Sequence, residues 1–414
     1  MRRAILTTAA ALASVFCAAS QNTFDPTSVV VMGGGISAGY ADFHLVRPNQ
    51  VNSWPALVAG PMGTVISLPT YRDDGQAGVL NAFQPLPGLL PQVSQGGERA
   101  LPFPIFAMNL SVPFLKLADS LRLRPLLRYD GSKLSATIEH DLLDTFVVGI
   151  LGGPLISLPA PVLLTQSEYA RMMAPTAIFV ELGSQDALDA ALSGDTGRLT
   201  PVSSFTSDYS TLLQGLLPSN ATLVVMTVPD PTDTAYFSTV AEAAALQGVS
   251  AADLAQRLNL QSGDLLTLAG LVESGEILRG RRKAPLSADA VLPAATAATI
   301  RSTVTQYNSA IRNAAGTSIK VFDLYTFLHN IRTAGAAVGS VRVTGAFNGG
   351  FYSTDQLFPN ATGQALLANA ILQFVNSSYG TKYPAVSVPG PPDPAIGPRS
   401  SENASLITFL GGRQ

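Results

Sequence analysis

The fold of this 414-residue chain is decided near its N-terminus by the stretch Val29-Val30-Val31-Met32-Gly33-Gly34-Gly35-Ile36-Ser37-Ala38-Gly39-Tyr40. An apolar run that ends in a glycine cluster is typical of a strand buried on both faces, followed by a tight turn into a helix. Such a turn can cradle a phosphate, but the spacing is neither GxGxxG nor GxxxxGK followed by Ser or Thr. The stretch therefore predicts a parallel α/β sheet and gives only weak support for nucleotide binding.

Further strands of the same kind are predicted along the chain, at Ile105–Leu110, Ala177–Leu182, Leu223–Val228 and Ile319–Leu324. Helical patterns lie between or after them, over 205–217, 294–315 and 362–375. Strands that alternate with helices predict one three-layer α/β domain with a parallel sheet of about five strands.

Two regions depart from this alternation. We expect a helical insert at 240–290, where Ser250 has the pattern of a helix start and Arg279–Lys283 forms a basic loop. The Pro-rich stretch Tyr383–Arg399 predicts an extended, weakly ordered tail.

The first 20 residues have the pattern of a secretory signal peptide: Arg2 and Arg3, an apolar run, and small residues up to Ser20. We expect export to an extracellular, periplasmic or outer-surface location. Lipid anchoring through Cys17 is the alternative, which the bulky neighbour Phe16 disfavours. The predicted organisation is a signal peptide at 1–20, a domain at 21–380 and a Pro-rich tail at 381–414.

The composition excludes several function classes. The chain has one cysteine and three histidines, His44, His140 and His329, so a disulfide framework is impossible and a metal site improbable. Its net charge of −3 gives no basic excess with which to bind nucleic acid. The uncharged segment Thr145–Leu164 is long enough to cross a bilayer, but its prolines and glycines predict an apolar loop or lid instead. We expect no cofactor, no metal and no transmembrane span.

Four sequence blocks, in order, resemble those of the SGNH/GDSL hydrolase family of esterases and lipases. They are Gly33–Gly39, Asn109–Phe114, Leu182–Asp186 and Ser353–Gly363, similar to the family's Gly-Asp-Ser-Leu-Ser-x-Gly, Asn-x-x-x-Pro-Gly, Gly-x-Asn-Asp and Asp-x-x-His-Pro-x-x-x-Gly segments. The blocks span roughly residues 28–376. The resemblance implies a flavodoxin-like SGNH-hydrolase fold with a site at the carboxyl ends of its strands.

The same resemblance implies that the catalytic residues have been lost. In the family a serine attacks an ester, a histidine held by an aspartate acts as base, and a glycine and an asparagine stabilise the oxyanion. Here Gly35 stands at the nucleophile position and Phe358 at the base position, while Phe114 and Gln185 replace the oxyanion residues and Asp355 alone is retained. Loss of the nucleophile or the base costs on the order of 10⁶ in rate. We therefore expect a pseudoenzyme.

Two fates of the site remain open from the sequence. Either Phe114 and Phe358 fill it, or space remains in which Gly34, Gly35, Gln185 and Asp355 bind a lipid, acyl-ester or glycan-type ligand. In the second case we expect the apolar segment 145–164 and the insert 240–290 to cover the ligand.

An active ester or lipid hydrolase with relocated catalytic residues is the alternative function. Ser37, Ser353 and Thr354 are the hydroxyls near the expected site, and Ser37 is interpreted as a packing residue. A relocated base would have to come from one of the three histidines. A third possibility is a surface module whose Pro-rich tail engages a partner. The oligomeric state does not follow from the sequence.

Overall fold

The computed structural model describes residues 23–71, 106–125, 128–129, 134–135, 142–152 and 163–391. The predicted signal peptide with Cys17, the histidine at His140 and the end of the tail from residue 392 lie outside these residues.

A parallel sheet forms the centre of the fold. The strands of the described residues are β1 Val29–Gly33, β2 Arg128–Tyr129, β3 Leu134–Ser135, β4 Ala177–Glu181, β5 Thr222–Met226, β6 Ser238–Thr239, β7 Leu265–Leu266, β8 Val291–Leu292, β9 Lys320–Phe322, β10 Ala336–Val338 and β11 Val341–Val343. Strands β1, β4, β5 and β9 lie side by side in that order and are all parallel. All residues of β1 and β4 are buried, as expected for a parallel sheet with both faces covered. The remaining strands form small antiparallel sheets.

The predicted strand at 105–110 is not a regular strand in the described residues. Asn109 makes one parallel bridge with Val31, and Leu110 N donates to Val31 O at 2.8 Å. On the other side of the segment, the Ser67 carbonyl accepts a hydrogen bond from Asn109 N at 3.0 Å. The expectation of about five strands is therefore met in the described residues by four strands and one bridged segment beside β1.

Helices accompany the sheet. They are α1 Gly35–Ala38, α2 Arg47–Gln50, α3 Trp54–Met62, α4 Leu117–Arg122, α5 Leu142–Leu151, α6 Gln166–Met172, α7 Gln185–Ser193, α8 Val202–Leu216, α9 Val240–Gln247, α10 Ala251–Leu258, α11 Leu268–Leu278, α12 Ala294–Ala315, α13 Leu324–Thr333 and α14 Ala361–Tyr379. The helices predicted over 205–217, 294–315 and 362–375 correspond to α8, α12 and α14. Ser250 caps α10 as predicted, because its Oγ accepts a hydrogen bond from Asp253 N at 3.1 Å.

The buried apolar side chains form two clusters among the described residues. The larger one packs on the parallel sheet and contains the single tryptophan of the chain, Trp54, which is fully buried against Phe179. The smaller one lies in the helical insert and consists of Ala243, Ala244, Leu254, Leu258, Leu260, Leu266 and Leu271. The insert predicted at 240–290 is therefore a helical unit with a core of its own.

The Pro-rich stretch is extended, as predicted, but it is not weakly ordered up to Pro391. Tyr383 N donates to Asn376 Oδ1 at 2.8 Å, and Val386 N donates to Asn369 Oδ1 at 2.7 Å. Because both asparagines belong to α14, their side chains bind the extended backbone to that helix.

The uncharged segment 145–164 begins within a helix. Helix α5 includes its first residues and ends at Leu151, next to Gly152, and residues 153–162 lie outside the described part. Across the described ranges, no helix combines the length and the apolarity needed to cross a bilayer.

Candidate functional site

A small pocket lies at the carboxyl ends of β1, β4 and β5. It is lined by the turn after β1, by the start of α7 after β4, and by residues 229–231 after β5. Ligands of open parallel sheets bind at this edge. The cavity volume is about 40 Å³, which is room for about three water molecules.

The pocket brings together most of the residues singled out from the sequence. Those that line it are Gly34, Gly35, Phe114, Gln185 and Phe358. Asp355 does not line the pocket and is 1% exposed. Sequence blocks separated by more than 300 residues thus meet at one edge of the sheet.

Gly35 and Phe358 share one space. A Cβ atom at position 35 would lie 2.8 Å from Phe358 Cζ and closer still to Phe358 Cε1. Such distances are shorter than those real Cβ atoms make. The phenyl ring therefore occupies the volume that a side chain at position 35 would need, and a serine there could not fit unless the ring moved.

An aromatic cluster forms one wall of the site. The Tyr40 ring meets the rings of Phe114 and Phe358 edge-on, each at a centroid distance of 5.2 Å, and that of Phe146 at 6.2 Å. Edge-to-face contacts of this kind stabilise aromatic pairs. Phe146 belongs to α5, so the described part of the apolar segment packs behind the site.

The insert does not cover the pocket in the described residues. No residue of 240–290 is among those that line it. The insert instead buries part of its apolar surface in its own cluster and part, through Leu265 and Leu268, in the main cluster.

Phe114 retains the backbone conformation of a glycine. Its φ angle is +66°, in the left-handed region that costs an L-residue about 1–2 kcal/mol. A glycine, which the resemblance implies at this position, would adopt this conformation without that cost.

Glu181 is a site residue that the sequence analysis missed. It ends β4, lines the pocket and is 2% exposed. Its Oε2 accepts hydrogen bonds from Gly34 N at 3.1 Å and from Ser37 Oγ at 2.9 Å, and its Oε1 accepts one from Ser184 Oγ at 2.9 Å. Burial raises the pKa of Glu181, and these hydrogen bonds oppose the increase. The available signal was a lone carboxylate within the apolar run at 177–182, because a charge buried in a central strand needs partners.

The hydroxyls considered from the sequence have structural roles. Ser37 is fully buried, donates to Glu181 and accepts a hydrogen bond from Trp54 Nε1 at 3.0 Å. This geometry agrees with its interpretation as a packing residue. Ser353 and Thr354 are not lining residues of the pocket.

Ser184 and Gln185 mark the start of α7 at the pocket. The half-buried Ser184 hydroxyl lies at the cavity and donates to the Glu181 carboxylate. Gln185 Nε2 donates to Asp189 Oδ1, one turn further along α7. The Gln185 amide is thus bound within its own helix.

Asp355 is a buried acid with one unsatisfied oxygen. Its Oδ1 accepts hydrogen bonds from Leu357 N at 2.8 Å and Phe358 N at 2.9 Å, and its Oδ2 has no hydrogen-bond partner among the described residues. Burial raises the pKa of Asp355 to about 7, although the two N–H groups lower it. In a triad hydrolase this carboxylate orients a histidine, whereas the Phe358 side chain offers it no polar atom.

Two further buried carboxyls lie around the site. Asp230 lines the pocket and accepts hydrogen bonds from Thr232 N at 2.8 Å and from Arg301 Nε at 3.2 Å. Asp186 accepts one from Leu117 N at 2.9 Å. Burial raises the pKa of both groups, that of Asp186 to about 6. Both carboxyls are therefore used to join elements around the pocket.

The described histidines lie away from the cavity. His329 Nδ1 lies 2.8 Å from Asp233 Oδ2 at the surface, and His44 contacts the Asp42 carbonyl. Neither histidine lines the pocket. In the part of the chain that the structure describes, no three His, Cys, Asp or Glu side chains are placed to hold a metal ion.

No protein-family model matches this sequence, and no curated protein is significantly similar to it. Among solved structures it is similar to a psychrotrophic esterase from a Pseudoalteromonas species, with 11% identity and a TM-score of 0.36 over 86% of this chain and 100% of the esterase. It is also similar to an acetyl-xylooligosaccharide esterase from Geobacillus, with 10% identity and a TM-score of 0.37 over 87% and 97% of the two chains. A third is an alpha/beta hydrolase enzyme from the metagenome of Lake Arreo, Spain, with 12% identity and a TM-score of 0.36 over 85% and 96%. Similarities this low assign neither a fold nor a function.

Proposed function

We propose that this chain is an exported, catalytically degenerate relative of the SGNH/GDSL hydrolases, in which the former active site binds a small acyl-type ligand. The principal support is the packing of Phe358 into the space of a side chain at position 35. The Phe358 ring leaves no room for a serine at position 35 unless it moves, and a phenylalanine cannot act as a base. These two features support the proposed loss of catalysis.

The sheet supports the family part of this proposal. When the bridged segment at Asn109 is included, the order along the sheet is 2-1-3-4-5, the order of flavodoxin-like folds. The pocket lies between the ends of β1 and β4, where the chain connectivity changes direction.

The pocket lining favours an acyl group over a glycan. Most of the lining side chains are apolar, among them Ile36, Leu115, Leu188 and Leu357. Among the polar side chains, those of Glu181, Ser184 and Gln185 already have hydrogen-bond partners within the protein. A glycan presents many hydroxyls that need free partners, whereas an acyl chain needs few. A cavity of about 40 Å³ favours a short chain.

Titration with short carboxamides, followed by backbone amide NMR shifts, tests the binding proposal. We expect saturable shifts at Gly34, Gly35 and Ser184 with butyramide. Phe358→Ala enlarges the cavity and should shift the preference towards longer chains such as octanamide. Phe106→Ala is the matched control, because Phe106 is 37% exposed and does not line the pocket. Absence of saturable binding to the native chain and to Phe358→Ala would reject an acyl-type ligand.

One observation favours the alternative of an active hydrolase with relocated residues. The Ser184 hydroxyl lies 2.9 Å from Glu181 Oε1 at the cavity, so Ser184 could attack an ester while Glu181 takes its proton. A fluorophosphonate probe distinguishes the two functions. Labelling of the native chain that Ser184→Ala abolishes would favour the hydrolase, whereas absence of labelling supports the degenerate site.

A further inference from the structure

Positive charge is concentrated in a turn of the helical insert that the proposed function does not use. Arg279, Arg281, Arg282 and Lys283 lie within five residues of a chain whose net charge is −3. Arg282 Nη1 lies 3.2 Å from Glu273 Oε1. The other three cations are exposed, and within the described residues no carboxylate forms an ion pair with them. We call residues 279–283 the basic turn.

The insert holds the basic turn in a defined position. Arg281 N donates to the Glu276 carbonyl at 2.9 Å, which closes the end of α11. The buried Glu273 accepts hydrogen bonds from Ser287 N at 2.8 Å and from Ser287 Oγ at 2.5 Å. Because both ends of the turn are fixed to α11, its cations are presented together.

An exposed apolar side chain lies on α9, the helix whose end Arg279 approaches. A Cβ atom at Gly275 would be 3.1 Å from Arg279 Nη1 and 2.9 Å from Gln247 Oε1, so Arg279 lies next to the end of α9. Leu246, the neighbour of Gln247 on α9, is 46% exposed. Basic side chains together with exposed apolar ones on neighbouring elements are typical of surfaces that bind the interface of a membrane.

We propose that the basic turn binds the surface of an anionic phospholipid bilayer. A cluster of four to eight Lys and Arg residues suits anionic lipid headgroups, and each cation strengthens the partition about fivefold. Nucleic acid is the less suitable partner. The insert at 240–290 contains no aromatic residue on which a base could stack.

Vesicle co-sedimentation of the full chain tests this proposal. One set of vesicles contains phosphatidylglycerol in phosphatidylcholine, and the other contains phosphatidylcholine alone. The test variant is Arg281→Ala with Lys283→Ala, and the control is Arg198→Ala with Lys382→Ala. All four residues are exposed, and both variants lose two positive charges. A third variant, Arg281→Lys with Lys283→Arg, keeps the charge of the turn.

We expect the native chain to bind only the vesicles that contain phosphatidylglycerol. The partition coefficient should be about 30-fold lower for the test variant and unchanged for the control and the charge-keeping variant. Raising the salt from about 0.1 M to about 1 M should release the protein, because the Debye length falls from about 10 Å to about 3 Å. Equal losses for the test and control variants, or no vesicle binding at all, would overturn the proposal. Tighter binding to duplex DNA than to the vesicles at equal salt would assign the turn to nucleic acid instead.

Discussion

At the scale of single residues, the site is a set of residues whose side chains fit one another. Gly35 leaves room for the Phe358 ring, and Asp355 still accepts the hydrogen bonds of the turn that carries Phe358. Phe114 keeps a left-handed backbone. The sequence alone shows that these residues differ from the family pattern. It cannot show that they fit together, because that depends on the direction of side chains from distant parts of the chain.

Gly35→Ala is expected to lower the free energy of unfolding by about 1–3 kcal/mol, the usual cost of overpacking a filled space. Urea unfolding followed by the fluorescence of Trp54 measures it. Gly215→Ala is the control: it lies in α8 with nothing within 4 Å of its Cβ position, and it should stabilise the chain by about 0.5–1 kcal/mol.

Phe358→Ala supplies the second half of this test. In that background the cost of Gly35→Ala should largely disappear, because the ring that it overlaps has been removed. Equal costs in the two backgrounds would show that the ring and position 35 do not compete.

Asp355→Asn is expected to stabilise the chain in a pH-dependent way. The pKa of Asp355 is about 7 in the folded chain and about 3.9 in an unfolded one. The stability associated with this carboxyl is therefore fully present below about pH 4 and is lost as the pH rises through about 7. An asparagine keeps an acceptor for the two N–H groups and cannot ionise.

Unfolding free energies of Asp355→Asn and the native chain between about pH 4 and pH 8 check this expectation. The variant should match the native chain at the acid end and exceed it by up to about 4 kcal/mol at about pH 8. A difference that stays constant across this range would contradict the raised pKa.

At the scale of elements, Glu181 joins the end of β4 to the starts of α1 and α7. Its carboxylate accepts hydrogen bonds from Gly34, Ser37 and Ser184. Glu181→Gln would place an amide NH₂ against one of these donors. We expect a loss of about 2–3 kcal/mol in unfolding free energy, whereas Ser184→Ala removes one donor and should cost about 1 kcal/mol. Equal losses in a urea titration would contradict the central role of the carboxylate.

Elements with a strong local pattern were predictable from the sequence. Helix α12 begins and ends where its pattern does, because Pro293 favours a helix start and apolar residues recur along the run. The segment at 105–110 was predicted as a full strand but pairs with β1 through a single bridge. On its other side the segment donates from Asn109 N to the Ser67 carbonyl, a contact with a distant part of the chain that leaves no local signal.

At the scale of the whole molecule, the two apolar clusters should respond separately to mutation. Leu254 and Leu212 are both fully buried, the first in the insert and the second in α8 of the main cluster. Each change to alanine should cost its own cluster about 2–5 kcal/mol. Since Trp54 belongs to the main cluster, Leu212→Ala should lower the urea concentration at the midpoint of the unfolding transition that Trp54 fluorescence reports. Leu254→Ala should mainly speed amide hydrogen exchange in α9–α11. Equal effects of both changes on the Trp54 transition would show one cooperative core.

The sequence predicted where the site lies but not how its side chains pack. Four blocks at strand ends brought Gly34, Gly35, Phe114, Gln185 and Phe358 to one pocket, as the topology of a parallel sheet requires. The remaining volume and the role of Glu181 depend on how side chains pack, which a pattern of residue types does not specify. The expectation that the insert covers the pocket was wrong, since an apolar helical segment can equally bury its side chains within itself.

The hydrolysis of p-nitrophenyl butyrate by the purified chain tests the central claim most directly. Neither Gly35 nor Phe358 can act in catalysis, and the Phe358 ring occupies the space that a side chain at position 35 would need. We therefore expect a rate equal to that of buffer, for the native chain and for Ser184→Ala alike. Turnover above buffer by the native chain that disappears in Ser184→Ala would contradict the account and identify a relocated nucleophile.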